Sequence, residues 1–388
     1  MSLPATPEGA AAPAPSPRGG ALPQTADYGA LLCAARPLID LRAPVEFARG
    51  AFPAAHNLPL MSDAERAQVG RCYKERGQQA AIALGHELVG GATREARIEA
   101  WVDFARRHPQ GALYCARGGL RSQIVQQWLA EAGVVYPRVI GGYKALRGFL
   151  LGELQRLAEG LRFHVVTGPT GSGKTHFLNS LPRAIDLEGL AHHRGSAFGA
   201  YLEEQPTPID FENRLALALL DAQARHADAP VYLEDESRLI GRLALPPALH
   251  ARIPPAPYVE LQLDFAERVD GVLADYVLDL GRRYAQAYGE RGPAEHEARL
   301  LGDLSRIRKR LGGAREQQVA ALLREAFAAQ ARAGELDGHR AWIGLLLRDY
   351  YDPMYAYQAG RRAGPCLVRG RPEAVRAWVL AQGTAGAR

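Results

Sequence analysis

Apolar residues in the first two-thirds of the chain fall in short runs broken by glycine, proline and polar turns. Residues 37–41, 112–115 and 138–140 read as short buried strands, and residues 122–132 read as a helix. A second set of strand-like runs covers residues 163–167, 230–234 and 258–263. Strands alternating with helices predict parallel sheets, whose reactive loops lie beyond the carboxyl ends of the strands. After Phe265 the period becomes helical. Leu300, Leu304, Ile307 and Leu311 recur at helical spacing, Gly312 and Gly313 mark a stop, and Val319, Leu322, Leu323, Ala326 and Phe327 mark the next helix. No internal repeat is visible. The pattern predicts a disordered tail over 1–25, an α/β domain over 26–150, a second α/β domain over 151–265, and a helical region over 266–388.

Composition narrows the class. The chain has 388 residues, 47% hydrophobic and 23% charged, which fits a soluble protein of two or three domains. No run approaches roughly 18 uninterrupted apolar residues, so no membrane span is expected. Cys33, Cys72, Cys115 and Cys366 are scattered and form no CxxC pair, which argues against a zinc knuckle or a disulfide framework. No basic segment followed by an apolar core opens the chain, so a cytoplasmic protein is expected. Residues 266–388 carry 20 Lys and Arg against 15 Asp and Glu, whereas the first 265 residues hold 27 of each. That excess suits a polyanion such as nucleic acid.

Two segments carry chemistry. Cys115-Ala-Arg117-Gly118-Gly119-Leu-Arg121-Ser122 follows a strand and opens a helix. The helix N-terminus and two arginines favour a thiolate, and the glycine pair lets backbone N–H groups converge on an oxyanion. Cys33 and Cys366 lack this setting. Cys72, in the basic segment Arg71-Cys-Tyr-Lys74, is a candidate second thiol. The other segment is Gly168-Pro-Thr-Gly171-Ser172-Gly173-Lys174-Thr175, which fits the P-loop pattern at every position and has strand and helix flanks. Its amides would cradle phosphates, Lys174 would reach an outer oxygen, and Thr175 would bind Mg²⁺ if one is used. Glu234 and Asp235 either supply an acidic Mg²⁺ ligand or pair with Arg238. Glu188, His192, His193, Arg194 and Ser196 form a candidate substrate loop. Adjacent histidines without i, i+4 partners are poor zinc geometry, so no metal site is expected there.

Asp40-Leu-Arg42, Glu46-Phe47 and His56-Asn57-Leu-Pro59 resemble the opening signature of rhodanese domains. The resemblance implies a loop cysteine that carries sulfur or selenium, with Asp40 and Arg42 holding the fold. Five residues separate Cys115 from Arg121, one more than in ordinary sulfurtransferase loops. That spacing resembles rhodanese-related protein phosphatases, and it points to a phosphate-bearing chalcogen donor. Further strings, Cys72-Tyr-Lys with Gly77, residues 80–89, residues 140–147, residues 186–199, residues 234–241 and Tyr350-Tyr351-Asp-Pro-Met-Tyr355, complete a resemblance to the bacterial tRNA 2-selenouridine synthase family over roughly residues 28–360.

This resemblance implies a rhodanese-like domain fused to a P-loop domain and a transferase acting on the 2-thio group of a wobble uridine in the tRNA anticodon loop. Selenium from selenophosphate replaces the sulfur through an S-geranyl intermediate made with geranyl diphosphate. Cys115 would carry a selanyl group, with phosphate released beside Arg117 and Arg121. Gly168, Gly171, Ser172, Gly173, Lys174 and Thr175 would hold the diphosphate. Arg306, Arg308, Lys309 and Arg310 would meet RNA phosphates. Tyr350, Tyr351 and Tyr355 would either stack on an unpaired base or fill a helix interface. A monomer with no tightly bound cofactor is expected. The alternatives are a Cys-dependent phosphatase or sulfurtransferase coupled to a P-loop NTPase domain, and a nucleotide-gated module with a redox-sensing cysteine.

Overall fold

The computed structural model describes residues 21–225 and 229–385. Contacts divide the chain into two compact units, with the division between Leu151 and Gly152. Residues 1–20 of the expected tail lie outside the described residues. Within the rest of that tail, Gln24–Thr25 form a strand rather than disordered chain.

In the first unit the strands are β1 (Gln24–Thr25), β2 (Leu38–Asp40), β3 (Ala55–Asn57), β4 (Ala112–Tyr114) and β5 (Arg138–Val139). They form one sheet in the order β1-β5-β4-β2-β3, with every pair parallel. Residues of β2 and β4 are buried throughout, as expected for a sheet covered on both faces. Trp101, Phe104, Val125 and Leu129 from flanking helices complete this core. Because all strands run the same way, the loops after β2, β4 and β5 gather at one edge. Cys115 directly follows β4, the central strand.

Asp40 and Arg42 hold this edge. Arg42 is 2.7 Å from Asp40 and donates to the carbonyl of Gly50 at 2.8 Å and that of Glu46 at 3.1 Å. Tyr114 donates to the same carboxylate at 2.9 Å, and the Arg42 guanidinium lies 3.7 Å from the Tyr143 ring centroid. Removing the cation leaves a buried carboxylate without its counter-charge and two carbonyls without this donor. Arg42→Ala is therefore expected to destabilise the unit by about 3–5 kcal/mol, read from urea unfolding; a loss below about 1 kcal/mol would contradict the structural role.

The second unit is built on β6 (Phe163–Thr167), β7 (Ala184–Ile185), β8 (Val231–Glu234), β11 (Tyr258–Leu261) and β12 (Cys366–Gly370); β9 (Leu239–Ile240) and β10 (Leu243–Ala244) make a separate antiparallel pair. The five-stranded sheet has the order β12-β11-β6-β8-β7 and is parallel throughout. The sequence pattern placed everything after 265 in a helical region. Instead, β12 returns to pair with β11, and the helix Pro372–Ala385 packs Val375 and Val379 against the sheet core. The intervening helices are an insertion within one unit. Their apolar positions behave as the periodicity predicts: Leu300, Leu304, Ile307, Leu311, Val319 and Leu323 are all buried in one cluster. The helix Gly292–Leu311 ends at Gly312, whose φ of 90° is a left-handed-region value that glycine permits.

Candidate active site

The loop after β4 is braced from the neighbouring β5 turn. Tyr143 N–H donates to the Cys115 carbonyl at 2.9 Å, Lys144 N–H donates to that of Ala116 at 3.0 Å, and Arg138 donates to that of Gly118. The approach is close enough to dictate glycine. A Cβ on Gly118, which has φ of 62°, would lie 2.7 Å from Gly141 N, and one on Gly142 would lie 2.2 Å from the Cys115 carbonyl oxygen. These contacts give a physical reason for the Gly141-Gly142-Tyr143-Lys144 string.

Cys115 sits 3.3 Å from the Ser122 hydroxyl, which itself donates to the Gly119 carbonyl at 2.8 Å. In this orientation Ser122 accepts from the thiol; a rotated hydroxyl would donate to a thiolate. Arg121 donates to Glu46 at 2.9 Å. Burial pushes Glu46 up, but Arg121, the Ala43 amide and Arg66 hold its carboxyl below the ordinary value. The expected electropositive loop is thus partly compensated: Arg121 has a carboxylate partner, while Arg117 is exposed. Cys115 is only 3% exposed. Its open side is a chamber of about 630 Å³ walled by Leu60, Val69, Ile82, Ile124 and Trp128 among others. Cys72 is buried and does not line the chamber.

In the second unit, β6 leads into Gly168, and the P-loop ends at the helix Lys174–Asn179. Gly171 has φ of 83°, and a Cβ there would meet the Arg268 carbonyl oxygen at 2.6 Å. The helix Phe265–Leu273, capped by Asp264, therefore lies directly on the loop. Arg268 fastens it by donating to Thr170 O at 2.9 Å and pairing with Asp352. Lys174 donates to Gly168 O at 2.8 Å. Burial lowers its pKa, opposed by Glu188, Glu236, Asp235 and Glu234. Ser172 is fully buried, and its hydroxyl has no partner among the described residues. A ligand oxygen in the loop would satisfy it.

The carboxylates sort by partner. Asp235 is paired with Arg362 rather than Arg238. Glu234 accepts from the Leu187 amide at 2.7 Å, while its other oxygen has no partner among the described residues. Thr175 donates to Glu188 at 3.2 Å, and Glu188 is hydrogen-bonded to Glu236. Burial pushes both members of this pair up, Glu236 the further because the Glu188 charge adds to it, while Lys174 and the hydrogen bonds from Glu236 and Thr175 hold Glu188 back. Glu188, Glu236 and Thr175 are the oxygens that would suit a hard cation beside phosphates.

Glu234 has the plainest consequence. Burial, then Asp186, Glu188 and Glu236, raise it well above 4.5. The folded chain holds a proton there that the unfolded chain releases. Its stabilising contribution is complete below about pH 4.5 and falls as pH rises through the folded-state value. Glu234→Gln is expected to flatten that part of the decline as pH rises above about 4.5 in urea midpoints. An unchanged slope would contradict the assignment.

The expected substrate loop mostly faces inward. His192 stacks on Tyr201 with centroids 4.5 Å apart. His193 is buried and accepts from Gly195 N at 3.1 Å, and Arg194 is held by Asp279 at 3.0 Å. Ser196 is 2.9 Å from the Tyr276 hydroxyl and also bonds Tyr351. Both tyrosines sit on π-helical turns, Ala274–Asp279 and Leu347–Tyr351, which bulge toward this loop. Glu188 is thus held at the P-loop through Thr175, Ser196 is tied to the two tyrosines, and the other three hold the shape of their own loop.

The RNA-facing expectations divide. Arg306, Arg308, Lys309 and Arg310 are exposed on the helix Gly292–Leu311, although Arg306 also pairs with Asp303. Tyr350 and Tyr351 are not available for stacking: they are 9% and 7% exposed and belong to the helical core. Tyr355 is half-buried, with Arg362 5.5 Å from its ring centroid. The sequence could have warned of this, because Ile343, Leu346, Leu347, Tyr350 and Tyr351 continue one apolar stripe. Arg268 was not singled out from the sequence, and the partners of Glu46 and Arg362 become visible only when distant segments meet.

A P-loop set in a parallel sheet, with a helical insertion packed on it and a second α/β unit presenting a cysteine loop, defines an enzyme of the phosphate-handling α/β class. Residues 161–385 match the tRNA 2-selenouridine synthase AAA domain family. Over 358 residues the chain is 51% identical to the tRNA 2-selenouridine synthase of Marinobacter nauticus, covering 92% of this chain and 97% of the relative. It is 54% identical over 349 residues to that of Pseudomonas fluorescens (90% and 96% covered) and 52% over 366 residues to that of Cupriavidus necator (92% and 98%). The chain belongs to the tRNA 2-selenouridine synthase family. The family match reaches residue 385, so it takes in β12 and the final helix, beyond the end at about 360 that the sequence strings suggested.

Proposed function

We propose that this enzyme replaces the sulfur of a wobble 2-thiouridine in tRNA with selenium, in two steps handled by its two units. In the first step the P-loop of the second unit holds the diphosphate of geranyl diphosphate. The allylic C–O bond breaks, the base sulfur takes the geranyl group, and diphosphate leaves. In the second step the first unit, a rhodanese-like domain, supplies selenium from selenophosphate at Cys115. Geranyl thiol departs from C2 of the base. The sum is balanced without net oxidation: S-geranyl base, selenophosphate and water give 2-seleno base, geranyl thiol and phosphate. A selanyl group on Cys115 lies above the selenide level of donor and product. That carrier therefore needs a disulfide equivalent to load and a cellular thiol to release it.

The observation that carries the reading is the pair of separate sites, each suited to one half of the chemistry. In the P-loop, Lys174 and the unpartnered Ser172 hydroxyl offer donors where charge grows on a departing diphosphate. At Cys115, the C-x5-R spacing and the Ser122 hydroxyl 3.3 Å from the sulfur support a loop that would take a tetrahedral anion. Glu188, Glu236 and Thr175 are the groups that would hold Mg²⁺, whose charge would further stabilise the leaving diphosphate. The exposed Arg308, Lys309 and Arg310 would meet tRNA phosphates.

The test is mass analysis of 2-thiolated tRNA after incubation with the enzyme, first with geranyl diphosphate alone and then with selenophosphate added. Geranylated and then selenylated uridine are expected in that order. Turnover of aryl phosphates with unmodified tRNA would favour the phosphatase alternative.

A further inference from the structure

The chamber at Cys115 holds more than a small tetrahedral anion requires. Such an anion would use the donors of the loop and Arg117, whereas most of the remaining wall is hydrocarbon, with Val69, Ile82, Ile124 and Trp128 prominent. Moving an anion deep among such side chains is unfavourable. At about 630 Å³ the space falls within the roughly 300–1,000 Å³ range of small-molecule sites.

Two glycines keep it open. The helix Asp63–Leu88 breaks at Gly77, where φ is 82°. The break lets residues on both sides of it, Val69 before and Ile82 after, line one chamber; a straight helix of 26 residues would run about 39 Å. Gly85 is different. It lies within the helix, its backbone does not need a positive φ, and the nearest atom to an added Cβ would be Val69 Cγ2 at 4.0 Å. A larger residue would suit the helix better. What the glycine supplies is volume inside the chamber.

We propose that this chamber binds a neutral hydrocarbon chain of about ten carbons that is joined through sulfur to the acceptor base. This rests on the two-step reading above and adds the location of the chain during selenium transfer. Glu46, Arg117 and Arg121 line the same chamber, and Glu46 already pairs with Arg121, so a multiply charged diphosphate head would meet Arg117 and a carboxylate, whereas a neutral thio-linked chain leaves that balance undisturbed. Its sulfur end would lie at the wall formed by Cys115, where geranyl thiol is to depart.

The test uses the full-length protein and needs no tRNA. Cys115 is labelled with S-alkyl methanethiosulfonates from methyl to octyl, and rates are read by peptide mass spectrometry, with exposed Cys33 and Cys366 as internal references. Each buried methylene can add up to roughly fourfold in affinity. An octyl advantage of at least about tenfold is therefore expected at Cys115 and within about twofold at the reference cysteines. Gly85→Leu, which fills the space, and Ile82→Gln, which makes a half-buried wall polar, are each expected to remove most of that advantage. Equal rates for all chain lengths would overturn the proposal, as would variants that keep the full octyl preference.

A second arm fixes the source of the chain. S-geranyl-2-thiouridine is expected to protect Cys115 from the octyl reagent, and geranyl diphosphate is not. Protection by the diphosphate alone would overturn the choice of occupant. If chain-length selectivity appears while tRNA is never geranylated, the two-step reading fails and the hydrocarbon site stands. If tRNA is geranylated and no selectivity appears, the chamber assignment fails alone.

Discussion

Lys174→Ala is expected to lose geranylation of 2-thiolated tRNA by about 10²–10³-fold, while selenation of tRNA that already carries the S-geranyl group persists. The ammonium is buried and donates to Gly168 O and Pro169 O. A diphosphate entering the loop offers it charged oxygens instead. That exchange strengthens as the allylic bond breaks and negative charge moves onto the leaving group, so the lysine acts mainly on the transition state. Its removal has a second effect, because Glu188 and Glu236 lose their nearest buried cation and hold their proton more tightly. The variant should therefore remain folded, which thermal melting checks, while the first product disappears from the tRNA mass spectrum. Undiminished geranylation would remove the diphosphate from this loop and return the P-loop to a nucleotide or to selenophosphate.

Both candidate loops could be found in the sequence because each is local. A strand, glycines at fixed offsets and a following helix lie within one short stretch, and the backbone demands of Gly118 and Gly171 are written as residue types. The alternating strands and the helical spacing of Leu300 to Leu311 were legible for the same reason. What could not be read depends on contacts between distant segments. β12 pairs with β11 across more than a hundred residues, and Cys366-Leu-Val-Arg-Gly370 carries no mark of its neighbour. Arg362 reaches Asp235 by the same return of the chain, which takes Asp235 away from the partner that nearness in sequence suggested. Tyr350 and Tyr351 could not be assigned between stacking and a helix interface for a different reason. Aromatic residues near basic ones suit RNA or a helix interface equally well, and only their continuation of the apolar stripe from Ile343 decides it. The chamber was hidden because Gly77 and Gly85 look alike in sequence, yet one bends a helix and the other leaves space.

Cys115→Ala is expected to reverse the pattern of the lysine variant: geranylation is kept and selenation falls by at least about 10³-fold. The substitution removes the only cysteine sulfur lining the chamber and the partner of the Ser122 hydroxyl, and it leaves the loop's backbone bonds to Tyr143 and Lys144 intact. A methyl in place of the thiol is a small change at a buried position, so the unit should stay folded. With S-geranylated tRNA and selenophosphate supplied, tRNA should then accumulate at the geranylated stage, a mass that wild-type enzyme passes through. Cys115→Ser separates chemistry from shape, since it returns a hydroxyl to the loop without a nucleophile able to carry selenium. If the serine variant selenates at the wild-type rate, the loop works by holding selenophosphate, and no bond between sulfur and selenium is needed. If both variants also lose geranylation, the two units do not divide the reaction between them, and the diphosphate and selenium steps must share groups.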